Sequence, residues 1–218
     1  MIALTRYQIA VLLRGHRWVG PLLLYATLLT FVADGSAQPL REGLNWSAAM
    51  LVPAVAWLTR SALTAEPPAA RACVAVAGGP HRAHLAALAA ALAFGVLLGA
   101  AGAGYEVAIS SWPARPSGVA LAVAAGLVGA VICLLVGSAA GALCNPPLVR
   151  SRGIGLLATI GAVIAALVAT VSPANAALRG SGGVAQAPGW LTGLPLLVAL
   201  ALVAAAWLTS TRLAARRG

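Results

Sequence analysis

Apolar residues run through this chain in six stretches, near residues 18–33, 43–59, 85–105, 117–144, 153–172 and 190–211, and nearly all charge lies in the gaps between them. A helix crossing the hydrocarbon core needs close to 20 apolar residues. The pattern therefore predicts an all-α polytopic membrane protein with six transmembrane helices. The second stretch is the weakest, because 43–59 is near the lower length limit and contains Asn45 and Pro53. Charge parity supports it. One set of alternate gaps holds Arg6, Arg14, Arg17, Arg60, Arg71, Arg82, Arg150, Arg152, Arg212, Arg216 and Arg217; the other holds only Arg41, Arg115 and Arg179. Short Arg-rich segments stay cytoplasmic, so both termini are expected inside, with Asp34, Glu42 and Glu106 outside. Dropping the second span inverts everything after residue 42 and leaves five arginines inside against nine outside.

Two cytoplasmic segments carry their own pattern. At 100° per residue, Arg6, Arg14 and Arg17 fall within about 80° of one another, with Leu4 and Val11 opposite. Residues 1–17 are thus expected as an amphipathic helix in the inner interface, and an orienting anchor on membrane lipids is enough to account for its charges. The gap between spans two and three contains Glu66, Pro67, Pro68, Ala69, Ala70 and Arg71, and later Gly78-Gly79-Pro80. Paired prolines suit a first helical turn, the acid suits its positive end, and Gly-Gly-Pro stops it. Connections within helical bundles usually take a few residues. This one takes about twenty, which marks a ledge on which a partner docks.

Composition adds little that the pattern lacks. With 61% hydrophobic and 8% charged residues, and a mean hydropathy of +0.94, no stretch is left for a separate soluble domain, and residues 1–218 read as one membrane domain. A net charge of +10 would point to nucleic acid in a soluble protein. Here the arginines sit at span ends facing lipid headgroups, so nucleic-acid binding is rejected. All fourteen cations are arginine, which beside abundant Ala, Gly and Pro resembles the usage of a GC-rich, actinobacterial type of genome. Arginine over lysine is therefore not a functional signal. Arg17 interrupts the first apolar run and no small-residue cleavage site follows, so no cleavable signal is expected. Cys73, Cys133 and Cys144 read as free thiols.

Chemistry-bearing motifs are conspicuously few. No ionisable residue is expected at mid-bilayer depth, where ion-coupled carriers need one. A phosphate-binding loop of the Walker type needs a lysine, and the chain has none. His81 and His84 are one turn apart without an acidic third ligand, which fits the interfacial end of a helix better than a metal site. No Gly-x-Ser-x-Gly elbow or membrane Ser-His pair occurs, and His16 stands alone. No catalytic, cofactor or metal residue is therefore assigned, and the chain is not expected to be an enzyme. Gly95/Gly99 and Gly137/Gly141 have the spacing that lets helices approach closely and are read as packing surfaces. Trp18, Trp46, Trp112 and Trp190 mark span ends as an aromatic belt.

In layout the chain resembles the permease subunits of type-2 ABC exporters. The likeness rests on the basic segment Tyr7–Arg17, the first span opening at Trp18, the Ala-Glu-Pro-Pro-Ala-Ala-Arg71 loop, the Asn145–Arg152 turn, and a Gly- and Pro-rich outer segment from Ser172 to Gly189. In that family the loop between spans two and three is a coupling helix seated in a separate ATPase, with the N-terminal helix beside it. The resemblance implies that Glu66, Pro67, Pro68, Ala69, Ala70 and Arg71 meet an ABC-type ATPase subunit, which alone binds ATP and Mg. It further implies a dimer with a second permease copy or homologue in a bacterial cytoplasmic membrane. An apolar pathway with Asn, Ser and Thr as its polar points favours a hydrophobic or amphipathic cargo such as an antibiotic, peptide or lipid. The alternative is an accessory or scaffold subunit of a larger membrane complex; a facilitative carrier or a membrane enzyme without recognisable residues comes after it.

Overall fold

The computed structural model describes residues 1–32, 38–145, 148–149, 151–182 and 189–217. Among them every element is helical: α1 (Ile2–Arg14), α2 (Val19–Val32), α3 (Leu40–Leu63), α4 (Pro68–Gly78), α5 (Pro80–Ile109), α6 (Pro116–Leu143), α7 (Arg152–Val168), α8 (Pro173–Gly182) and α9 (Gly189–Arg217). Four stretches are long and apolar enough to cross a membrane: Pro80–Ile109, Pro116–Leu143, Gly153–Arg179 and Gly193–Ala214. The third is α7 and most of α8 with a turn at 169–172 between them. The first expected span is shorter than the rest, since the 14 residues of α2 cover about 21 Å of a hydrocarbon core of about 30 Å. Asp34 and Gly35 lie outside the described residues.

The second expected span, the least apolar, turns out to be the centre of the molecule. α3 has 24 residues, about 36 Å, and packs most extensively on α6 and α5. Val52, Ala54, Val55 and Ala56 are wholly inaccessible. On one side α3 shares a cluster with Leu12, Tyr25 and Ala90 from α1, α2 and α5; on the other it meets Ile132, Val163 and Val203 from α6, α7 and α9. Lipid tails are as apolar as leucine, so an outer helix must be hydrophobic all round, whereas a helix enclosed by others can carry Ser47 and Thr59. Both are buried. In the strongly apolar Gly153–Arg179 stretch, by contrast, only 11% of the hydrophobic window is buried inside the protein.

Close approach to α3 comes from glycine. A Cβ on Gly137 would lie 2.7 Å from the Val52 carbonyl, and one on Gly141 2.6 Å from the Ala56 carbonyl. On α5, Gly99 abuts Leu51, and a Cβ on Gly95 would sit 3.2 Å from Val55 and 2.6 Å from Leu134. Both Gly-x-x-x-Gly pairs are therefore packing surfaces within the chain.

The helices alternate in direction. At one end the Leu40 amide donates to the Ser111 carbonyl (3.0 Å) and the Ser111 amide to the Gln38 carbonyl (2.9 Å), joining the start of α3 to the end of α5. At the other end Trp207 of α9 packs on Leu63, Ala87, Leu88 and Ala142, and Leu4 of α1 packs on Gly78 of α4. α1, α4 and the last turns of α9 thus gather at the end that holds Arg60, Arg71, Arg82 and Arg212.

Two segments differ from their expected form. The N-terminal helix ends at Arg14 rather than running through residue 17, because Gly15 caps it and His16 adopts a left-handed φ of 52°. That turn carries Arg17 off the Arg6/Arg14 face. Within the Gly- and Pro-rich segment Ser172–Gly189, Pro173–Gly182 form α8: Pro173 opens it, Ala174 is fully buried, and the Asn175 amide donates to the Leu167 carbonyl of α7; residues 183–188 lie outside the described residues.

Candidate functional sites

The ledge between α3 and α5 is held by groups the sequence keeps far apart. The last carbonyls of a helix have no intrahelical donor and carry partial negative charge. At the end of α3, Arg71 donates to the Leu63 carbonyl and Arg17 to the Thr64 carbonyl at 2.9 Å. Just beyond, the Glu66 carboxylate accepts from the Gln8 amide at 3.0 Å, with the Tyr7 phenol nearby. Partial burial and the negative charge of Glu66 together hold the Tyr7 phenol above its ordinary pKa.

These contacts correct the expected exposure of the ledge. Glu66, expected in a solvent-facing loop, is only 9% exposed and Gln8 only 2%. The cause is α1, which lays its Leu4, Gln8 and Leu12 stripe onto α4 and α5 and brings Gln8 to the carboxylate. Glu66 and Arg71 are thus occupied within the chain. Pro67 and Ala69 are exposed, Ala70 is half-buried, and Pro68 begins α4. Besides the exposed Arg71 and Ala77, α4 turns outward Ala69, Ala72, Cys73 and Val76, at i, i+3, i+4 and i+7, all four uncharged, with Val76 90% exposed. Gly79, at φ 84°, makes the break before Pro80 that only glycine adopts without strain.

Sequence reading named Glu66 and Arg71 but not Gln8, Ala72, Cys73 or Val76. The available signals were a lone amide midway between Leu4 and Leu12, and an apolar stripe of four residues on a short helix expected outside the bilayer. Of the arginines on the N-terminal segment, Arg6 and Arg14 remain exposed and free to face headgroups.

Elsewhere on the same end, His84 is half-buried with Nε2 lacking a partner, and His81 is exposed. Among the described residues no three His, Cys, Asp or Glu side chains gather where a metal could bind. Asn145 closes α6 by donating to the Gly141 carbonyl at 2.6 Å, and Ser151 caps α7 by accepting from the Ile154 amide. Pro146, Pro147 and Arg150 of that turn lie outside the described residues.

At the opposite end, Glu106 lies in the last turn of α5. It is 6% exposed, packed against Gly43 of α3, and accepts from the Ser110 hydroxyl at 3.5 Å. Gly43 leaves room where any side chain would meet the carboxylate. Beside it, between the start of α3 and α8, opens a cleft of about 510 Å³ lined by Arg41, Glu42, Asn45, Trp46, Ala49 and Leu178. No protein-family model, curated protein or solved structure matches the chain.

Proposed function

We propose that this chain is the membrane-spanning subunit of an ATP-driven exporter of the type-2 ABC class. It crosses the bacterial cytoplasmic membrane six times with both termini inside, and it pairs with a second copy or a homologue. A separate ATPase, docked beneath α4, supplies the energy, and the cargo is a hydrophobic or amphipathic compound. The observation that carries this reading is the outward stripe Ala69, Ala72, Cys73 and Val76 on a ledge that is otherwise tied down. A short helix beyond the bilayer has no reason to turn a continuous apolar face to water unless another surface covers it. The ties behind it matter equally. Arg17, Arg71, Gln8 and Glu66 fasten α4 to the ends of α1 and α3, so that a push on α4 tilts the central helix and with it α5 and α6.

Charge supports the orientation. Exposed or interfacial arginines crowd the ledge end, and α3 closes the parity of six crossings. The absence of lysine excludes a Walker-type phosphate loop in this chain, so hydrolysis belongs to the partner.

Cys73 lies in the stripe and is the exposed one of the three cysteines. A maleimide should modify Cys73 rapidly in the isolated subunit and at least tenfold more slowly once the ATPase has bound. Ala72→Glu should abolish ATPase co-purification while leaving the elution volume and helical content of the detergent-solubilised subunit unchanged. Undiminished labelling in a complex, together with ATPase retention by Ala72→Glu, would remove the docking assignment.

A further inference from the structure

The cleft at the outer end of α3 has a polarity gradient. Arg41, Asn45 and Ala49 stand at i, i+4 and i+8, and Glu42 and Trp46 at i and i+4, on the face toward Leu178 of α8. At 1.5 Å per residue the lining descends from two opposite charges, through an amide and an indole about 6 Å lower, to an alanine about 12 Å below the rim. Trp46 keeps 42% of its surface accessible. Arg41 and Asn45 each also take part in an interaction within the chain. The same sequence of charge, amide and hydrocarbon recurs in a lipid from headgroup to acyl chain.

We propose that this cleft binds a zwitterionic phospholipid of the outer leaflet, with the headgroup at Arg41 and Glu42 and the upper acyl chain against Ala49 and Leu178. The phosphate takes the Arg41 guanidinium and the Asn45 amide as donors. The ammonium meets the Glu42 carboxylate and the face of Trp46, an arrangement in which a cation is attracted by both charge and ring quadrupole. Adjacent charges of opposite sign select against headgroups with net negative charge, because Glu42 repels what Arg41 attracts. A volume near 510 Å³ holds a headgroup and a few methylenes rather than a whole lipid, so the remaining chains stay in the bilayer. The inference requires that the chain cross the membrane with this end outside; it does not require the exporter assignment.

The test uses the full chain, delipidated in detergent and titrated separately with phosphatidylethanolamine, phosphatidylglycerol and diacylglycerol, with bound lipid counted by native mass spectrometry. One phosphatidylethanolamine should bind at least tenfold more tightly than either other lipid. Arg41→Gln should remove about tenfold of the preference over diacylglycerol and Trp46→Leu about tenfold of the preference over phosphatidylglycerol, and Ala49→Leu should weaken binding by filling the floor. Equal binding of phosphatidylglycerol overturns the proposal. Displacement by millimolar free phosphoethanolamine overturns the lipid assignment in favour of a soluble zwitterion. If a variant fails to fold, the wild-type comparison of lipid classes still decides. ATPase co-purification by these variants should be unchanged, which separates failure here from failure of the docking reading.

Discussion

Gln8 and Glu66 form the contact whose removal discriminates most sharply at the level of single residues. Replacing Gln8 with alanine leaves a buried carboxylate without its amide donor, a loss of about 1–3 kcal/mol, and should release α1 to limited proteolysis after Arg14 or Arg17. The measurement is the cleavage rate of the detergent-solubilised protein; an unchanged rate would show that the apolar stripe alone holds α1. Gly141 offers a second contrast. Gly141→Val drives a side chain into the Ala56 carbonyl and Thr59 and should cost about 1–3 kcal/mol, lowering the thermal midpoint in detergent. Gly161→Ala, where an added Cβ meets nothing within 4 Å, should be neutral or slightly stabilising. At this scale the sequence was half legible. Glu66 stood out because it precedes two prolines, but its partner lies 58 positions away, and no local spacing announces a tertiary hydrogen bond.

Among the elements, legibility followed hydropathy, and hydropathy reports exposure to lipid rather than importance to packing. α5, α6 and α9 were plain because their outer faces must satisfy hydrocarbon. α3 was the faintest expected span for the opposite reason: packed along most of its length by α5, α6 and α2, it is free to bury Ser47 and Thr59. Helix ends were read less well, since capping depends on single backbone angles. α1 stops three residues early because His16 takes φ 52°, a conformation that costs a residue with a Cβ about 1–2 kcal/mol in the left-handed region. His16→Gly should therefore stabilise the protein by a few tenths to 1 kcal/mol, whereas His16→Val should destabilise it, as read from thermal unfolding of the two variants side by side. α8 was missed because three of its ten residues, Gly180, Ser181 and Gly182, are poor helix formers. Burial of Ala174 and the Asn175 bond to α7 supply what propensity lacks.

For the whole molecule, the alternation of helix directions places α1, α4 and the end of α9 together, and the arginines with them. A membrane-impermeant thiol reagent added to intact cells should leave Cys73 unmodified and should react with a cysteine introduced at Gly182. The reverse pattern at either position would mean that the chain is inserted with its arginine-rich end outward, against the charge rule. The architecture also sets an order of events during synthesis. α1 leaves the ribosome first, yet Glu66 follows Gln8 by 58 residues, a delay on the order of 3–12 s at typical elongation rates. Until α2 and α3 have been made and have packed together, α1 lacks the surface it rests on. Its final contact therefore reports that α2 and α3 have come together beside it. Nascent chains halted before residue 66 should leave Arg14 open to trypsin, and chains halted well beyond α5 should protect it.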